Sequence, residues 1–265
     1  MENKLVAITI GLLFGGGFLY VMSRELYGML NAHFSAAAQG NRYLRQGNLE
    51  AAIASFSHLI ETQPENIEAY LGRSSAYIQL NLLEQALEDC NTVTELNPQN
   101  HYACLNRGVI YGLMDEDEKS IAEMTRCLEL KPDQQDALSN RAYTCYKTGQ
   151  IRMALTDFNR LIELNPYSPD AYNGLAWLLA TCPDESFRDG KRSLELATRN
   201  CELMMTPEWN DLGTLAAAHA ATGSFDEAVR LAKESLTLAP EHEKADCQKR
   251  LAHYERNEPY LDIVP

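Results

Sequence analysis

Apolar and small residues recur along this chain with two nested periods. Between residues 67 and 100, Tyr70, Arg73, Ser74 and Tyr77 stand at i, i+3, i+4 and i+7, and Leu83, Ala86, Leu87, Cys90 and Val93 repeat that spacing after a break at Asn81. Each run marks one face of a helix, so the segment reads as two α-helices joined by a short turn. On a larger scale, Pro64, Pro98, Pro132 and Pro166 follow one another at 34-residue steps. Small positions keep the same step: Gly40, Ser74, Gly108 and Ala142, then Ala52, Ala86, Ser120 and Ala154. A fixed step of that length is the mark of stacked helix pairs, and one pair cannot bury both of its apolar faces, so neighbours must stack. The pattern predicts an all-α chain with no strands.

These columns resemble the tetratricopeptide repeat (TPR). The first repeat fills the family pattern with Gly40, Tyr43, Ala52, Phe56 and Pro64, the fourth with Ala142, Ala154, Phe158, Leu161 and Pro166. The resemblance covers about His33 to Pro240 and implies a right-handed α-solenoid of six helix pairs: residues 33–66, 67–100, 101–134, 135–168, 169–207 with an insertion between its helices, and 208–240. It also implies a concave groove, lined by the first helix of each repeat, in which a protein or peptide partner is held. On the family's groove positions stand Asn41 and Arg45, Gln79, Tyr102 and Asn106, Asn140, Tyr143 and Tyr146, then Asn173 and Trp177. Asparagine both donates and accepts hydrogen bonds, which suits a peptide backbone. The aromatic residues offer rigid contact area of the kind that dominates interfaces, although Tyr143 and Trp177 are equally suited to packing between helices. The basic clamp that some family members use for a C-terminal carboxylate is not reproduced.

Three repeats depart from the family at a half-buried position, where Arg73, Arg107 and Arg141 stand in place of leucine. A buried guanidinium needs a partner. Sixteen residues on, in those repeats alone, come Asp89, Glu123 and Asp157, whereas Gln39 and Ser55, Leu175 and Leu196, and Leu215 and Leu231 fill the other three. Three structural ion pairs are expected. The alternative is a basic ladder for an acidic ligand.

Outside the repeats, Leu5–Met22 is an uncharged run of 18 residues bracketed by Lys4 and Arg24, about 27 Å as a helix and long enough to cross the hydrocarbon core of a bilayer. Residues 1–32 therefore read as a single transmembrane anchor and a short connector, with a cleaved signal peptide as the alternative. Gly11 and Gly15 offer a small-residue pair for weak self-association of such helices. The flanking charges are balanced and do not orient the span, and the unpaired cysteines favour the repeats on the cytoplasmic side. At the other end, residues 241–265 read as a polar capping helix with Ala245, Leu251 and Tyr254 as its apolar contacts, followed by an irregular tail, NEPYLDIVP. The insertion Thr181–Gly190 is expected to lie between the helices of the fifth repeat, with Pro183 ending the first helix and Gly190 preceding the second. It decorates a binding face or is a spacer.

Charge and chemistry narrow the function. With 23 basic and 37 acidic residues the chain carries a net charge of −14, which argues against nucleic acid and for a basic or neutral protein partner. The seven cysteines lack metal-site spacing, and several fall on helix faces where cysteine serves as a small apolar residue. The run Asp115–Glu118 lacks the alternating ligands of a calcium loop and reads as an acidic turn at a helix start. No nucleophile, phosphate or metal motif is present, so neither an enzyme nor a cofactor is expected. The sequence thus points to a membrane-anchored adaptor or scaffold. The alternatives are a subunit that builds a larger membrane-associated complex through its convex or terminal faces, and an exported soluble binder.

Overall fold

The computed structural model describes residues 36–262. Helix α1 occupies residues 36–45, and twelve further α-helices follow it. They are α2 (Leu49–Thr62), α3 (Ile67–Gln79), α4 (Leu83–Leu96), α5 (His101–Leu113), α6 (Asp117–Leu130), α7 (Gln135–Lys147), α8 (Ile151–Leu164), α9 (Pro169–Thr181), α10 (Gly190–Leu203), α11 (Trp209–Ala221), α12 (Phe225–Leu238) and α13 (Lys244–Glu255). Short 3-10 turns lie at Glu185–Phe187 and Glu241–Glu243, and the described residues contain no strand. The expected transmembrane helix, residues 1–32, lies outside the described residues. Among those described, no helix is long and apolar enough to cross a membrane.

The lengths alternate. First helices of the pairs, α3, α5, α7, α9 and α11, have 13 residues; second helices, α2, α4, α6, α8, α10 and α12, have 14. What resets the chain within a pair is one left-handed residue after the first helix: Gly47, Asn81, Asp115, Gly149 and Gly223, with φ of 71°, 58°, 58°, 75° and 81°. Only glycine, and to a lesser degree Asn or Asp, adopts that conformation cheaply. The fifth pair lacks such a residue and uses the insertion in its place. There α9 ends at Thr181, capped by buried Cys182, and Gly190 is itself the first residue of α10, beneath an Asp189 cap that accepts from the Arg192 N–H. The insertion is pinned by Asp189 N–H to the Leu179 carbonyl and by Arg188 to the carbonyls of Cys182 and Pro183.

Two compact units divide the chain, residues up to Ile110 and residues from Tyr111 onward. In the first, Ala52, Phe56, Leu59, Ala69 and Ala76 form the core, with Leu83, Ala86, Cys90 and Val93 of α4 also buried. The Phe56 ring lies directly over Gly40 and Gly72, where a Cβ would collide with it. In the second, Phe158 sits over Gly174 in the same way. The period explains the match, because phenylalanine at one repeat's crossing requires glycine on the first helix of the next. Ala180, Leu212, Ala216, Ala228, Leu231 and Tyr254 belong to a core cluster at the C-terminal end of this unit. Helix α13 contributes Tyr254 to that cluster and packs Leu251 against it, and its Cys247 is buried as well. The expected contact Ala245 is exposed: Cys247, two residues along the helix, faces the core in its place.

Candidate binding face of the repeats

Two of the three expected ion pairs are present. Arg73 donates from Nε and Nη2 to Asp89 at 2.9 and 2.7 Å, and its Nη1 donates to Ser57 Oγ at 2.9 Å. Arg141 repeats the arrangement with Asp157 at 2.7 and 2.8 Å and Thr125 Oγ1 at 3.0 Å. Each guanidinium ties its own helix pair to a hydroxyl of the preceding repeat. Burial pushes the Asp89 carboxyl up while its Arg73 hydrogen bonds pull it down, and the carboxylates hold both arginines above their ordinary range. These cations are committed internally and do not form a ladder for a ligand. Arg107 and Glu123 fall in different units, and their pairing stands as an expectation.

In the first unit, Asn41 donates to Glu68 Oε1 at 3.4 Å, and Arg45 and Gln79 are exposed. Tyr102 is 47% exposed, its ring 4.1 Å from that of His101. Asn106, expected to meet a peptide, instead turns its Nδ2 to Ser74 Oγ at 3.2 Å, beside the Ser74 contact with Cys90 Sγ at 3.1 Å. The reason is steric: Cys90 holds the position that phenylalanine fills in repeats one and four, and the smaller side chain leaves room for Asn106 to turn inward.

The second unit brings Tyr143, Tyr146, Asn173 and Trp177 to one cavity and leaves Asn140 outside it. Tyr143 is 43% exposed, stacks edge-on to Phe158 at 5.1 Å, and donates its hydroxyl to the Asp170 carbonyl at 3.1 Å. Burial raises its pKa to about 12. Asn140 is exposed and donates to the Asp136 carbonyl of its own helix at 2.7 Å. Tyr143, Tyr146, Asn173, Trp177, Trp209 and Arg250 line a cavity of about 280 Å³. The Arg250 guanidinium lies 5.3 Å from the centre of the Trp177 ring and donates to Cys247 Sγ at 3.1 Å; it meets no carboxylate among the described residues. Asn173 Oδ1 is buried without a hydrogen-bond partner among the described residues. Such a site offers flat apolar walls, a cation and a buried acceptor.

Three of these features escaped the sequence reading. Trp209 is the first residue of its helix, ahead of the first groove position, so repeat position does not flag it. Arg250 comes from the capping helix, for which no family position exists. The tail, expected to be irregular, is irregular and docked through Asp262: Tyr146 Oη and Trp177 Nε1 donate to Asp262 Oδ2 at 2.9 and 3.0 Å, and the Asp262 N–H donates to the Thr181 carbonyl at 2.8 Å. Elsewhere, the acidic run is tied to the end of α7, the first helix of the next repeat, with Lys147 Nζ at 3.2 Å from Asp115 and 3.0 Å from Asp117.

Helix pairs of constant length, stacked within each unit and reset by one left-handed residue, define an α-helical repeat protein. Family models of the tetratricopeptide repeat match residues 37–101, 101–134 and 135–168, so the chain carries tetratricopeptide repeats over that stretch. No curated protein matches the chain by sequence. Among solved structures, PilF of Pseudomonas aeruginosa is similar with a TM-score of 0.71 at 16% identity, over 84% of this chain and 99% of its own. PilW, described as a type IV pilus biogenesis factor, gives 0.69 at 18%, over 82% and 98%. YrrB, described as a TPR protein with an unusual peptide-binding site, gives 0.59 at 19%, over 74% and 98%. At these identities the likeness is one of fold.

Proposed function

We propose that this protein is an interaction adaptor that holds a protein or peptide partner on the first-helix face of its repeats and is anchored to a bilayer by Leu5–Met22. In this reading residues 1–32 are anchor and connector, residues 33–240 are six repeats, and residues 241–265 are cap and tail. The repeats lie on the cytoplasmic side, where reduced Cys90, Cys145 and Cys247 are stable as buried thiols. The partner is basic or neutral overall, in keeping with the net charge of −14.

The observation that supports binding is the cavity bounded by Tyr143, Tyr146, Trp177 and Trp209, with Asn173 Oδ1 lacking a hydrogen bond among the described residues. A buried acceptor left without a donor costs free energy, and a peptide N–H would relieve it. The aromatic residues supply contact area at small entropic cost. Nothing in the site assembles a nucleophile with a base, so the reading is binding without catalysis.

A photo-crosslinking side chain placed at Tyr143 in the full chain, compared with one at Glu163 on the second-helix face, tests the assignment. Adducts from position 143 are expected, and Asn173→Ala should weaken them by about tenfold, the worth of one well-formed hydrogen bond. Adducts confined to position 163 would point instead to a subunit that assembles through its outer face. Extraction of the protein from membranes by alkaline carbonate would reject the anchor.

A further inference from the structure

The C-terminal segment is bound as a ligand would be, and its own sequence explains how it gets there. Helix α13 ends at Glu255, and Asn257, just beyond its Arg256 cap, has φ 57°. The Asn257 N–H returns to the Tyr254 carbonyl and the Glu258 N–H to the His253 carbonyl, both at 3.0 Å, which is the paired closure of a left-handed helix end. Pro259 then forbids further helix. The chain is reversed, and the next three residues, in neither helix nor strand, pass along the face bearing Tyr146 and Trp177.

In an extended segment residues i and i+2 face the same side. Tyr260 and Asp262 do so: the Tyr260 ring lies 6.2 Å from Trp177 and 5.6 Å from His253, and the Asp262 carboxylate takes the Tyr146 hydroxyl and the Trp177 indole N–H. Leu261, between them, is 38% exposed. One backbone hydrogen bond, from Asp262 to Thr181, fixes the register. An aromatic contact, a carboxylate held by two neutral donors, and a single main-chain bond form a recognition pattern that nothing restricts to this chain's own tail. The seat shares Tyr146 and Trp177 with the cavity, so an occupant of one competes with an occupant of the other.

We propose, building on the binding role above, that this face selects extended partner segments bearing an aromatic residue two positions before an aspartate. Residues 259–262 act as a tethered competitor that a partner must displace. The pattern reconciles the site with the acidic chain: the partner segment needs one carboxylate and is otherwise neutral or basic. Because the tether keeps the competitor at an effective concentration in the millimolar range, it weakens an incoming segment by about tenfold or more.

The test uses the full chain in detergent and a labelled, end-blocked peptide of sequence NEPYLD, with binding read by fluorescence anisotropy. Wild type and the double variant Tyr260→Ala, Asp262→Ala are compared, with circular dichroism to establish that both fold. The double variant should bind the peptide about tenfold more tightly than wild type, and a peptide with asparagine in place of its aspartate should bind neither. Should the double variant unfold, Asp262→Asn preserves the Tyr260 packing and is expected to show the same direction. Equal affinity in wild type and variant, or no binding to the opened variant, overturns the proposal. So does a two-chain mass by light scattering that is lost in the variant, which would mean that tails are exchanged between copies. Crosslinks from Tyr143 to a partner would survive each of those failures, so the binding role is judged separately.

Discussion

Replacing Asp157 by leucine isolates what the internal arginines do. The Asp157 side chain is 2% exposed and that of Arg141 15%, and two hydrogen bonds of 2.7 and 2.8 Å join them. Asp157→Leu leaves the guanidinium with only Thr125 Oγ1 at 3.0 Å in a setting too closed for full hydration. Removing one partner of a buried pair costs about 3–5 kcal/mol. The same chain shows how the position is filled without charge, since Leu215 packs against the cluster that contains Leu231, and these are the equivalent positions of the sixth repeat. The double variant Arg141→Leu, Asp157→Leu should therefore return to within about 1 kcal/mol of wild type, because a buried pair exchanged for packed apolar residues is often neutral or better. Urea unfolding followed by far-ultraviolet circular dichroism reads all four members of the cycle. Two results would refute the reasoning: a single variant costing under about 1 kcal/mol, or a double variant whose cost is the sum of the singles. Either would mean that Arg141 is hydrated and free to meet a ligand.

The glycine under Phe158 gives a sharper packing test. A Cβ at position 174 would stand 2.5 Å from the ring and 3.0 Å from the Tyr143 hydroxyl, so Gly174→Ala should cost about 1–2 kcal/mol, overpacking outweighing the better helix propensity. Gly213→Ala, whose Cβ would meet nothing closer than Ser235 Oγ at 3.4 Å, should stabilise by roughly 0.5–1 kcal/mol, and the same urea midpoints check both. The thiols make a further test. Burial raises Cys90 and Cys145 to about 11, so at pH 8 both remain protonated and should react with a disulfide reagent only at the rate of local unfolding. Between the unfolded value of about 8.5 and about 11 the unfolded chain loses protons that the folded one keeps. Stability should therefore fall as pH rises through that window; fast labelling at pH 8, or flat stability, would contradict the burial.

How much of this was legible in the residues follows from the range of the interactions. Helix number and helix faces are written locally, and so are the turns of five pairs, where Gly47, Asn81, Asp115, Gly149 and Gly223 are residue types that take a left-handed conformation at low cost. The ion pairs were legible as well, because Arg and acid appear together at a fixed separation of 16 residues. The site was legible in part. Tyr143, Tyr146 and Trp177 follow from repeat position, whereas Asn106 turned inward because Cys90 left space for it, a fact about volume that its own position does not reveal.

The docked tail was beyond any local reading. Asn257 and Pro259 announce that the helix stops and reverses, but the bond from Tyr146 to Asp262 spans 116 residues, and only the stacking of intervening helices brings those groups together. Periodicity by itself determined the repeating framework, since each helix pair solves the same local problem of burying one apolar face. Tertiary structure decided which groups of that framework are spent internally and which meet a ligand, because burial, spare volume and distant partners exist only once the helices have packed.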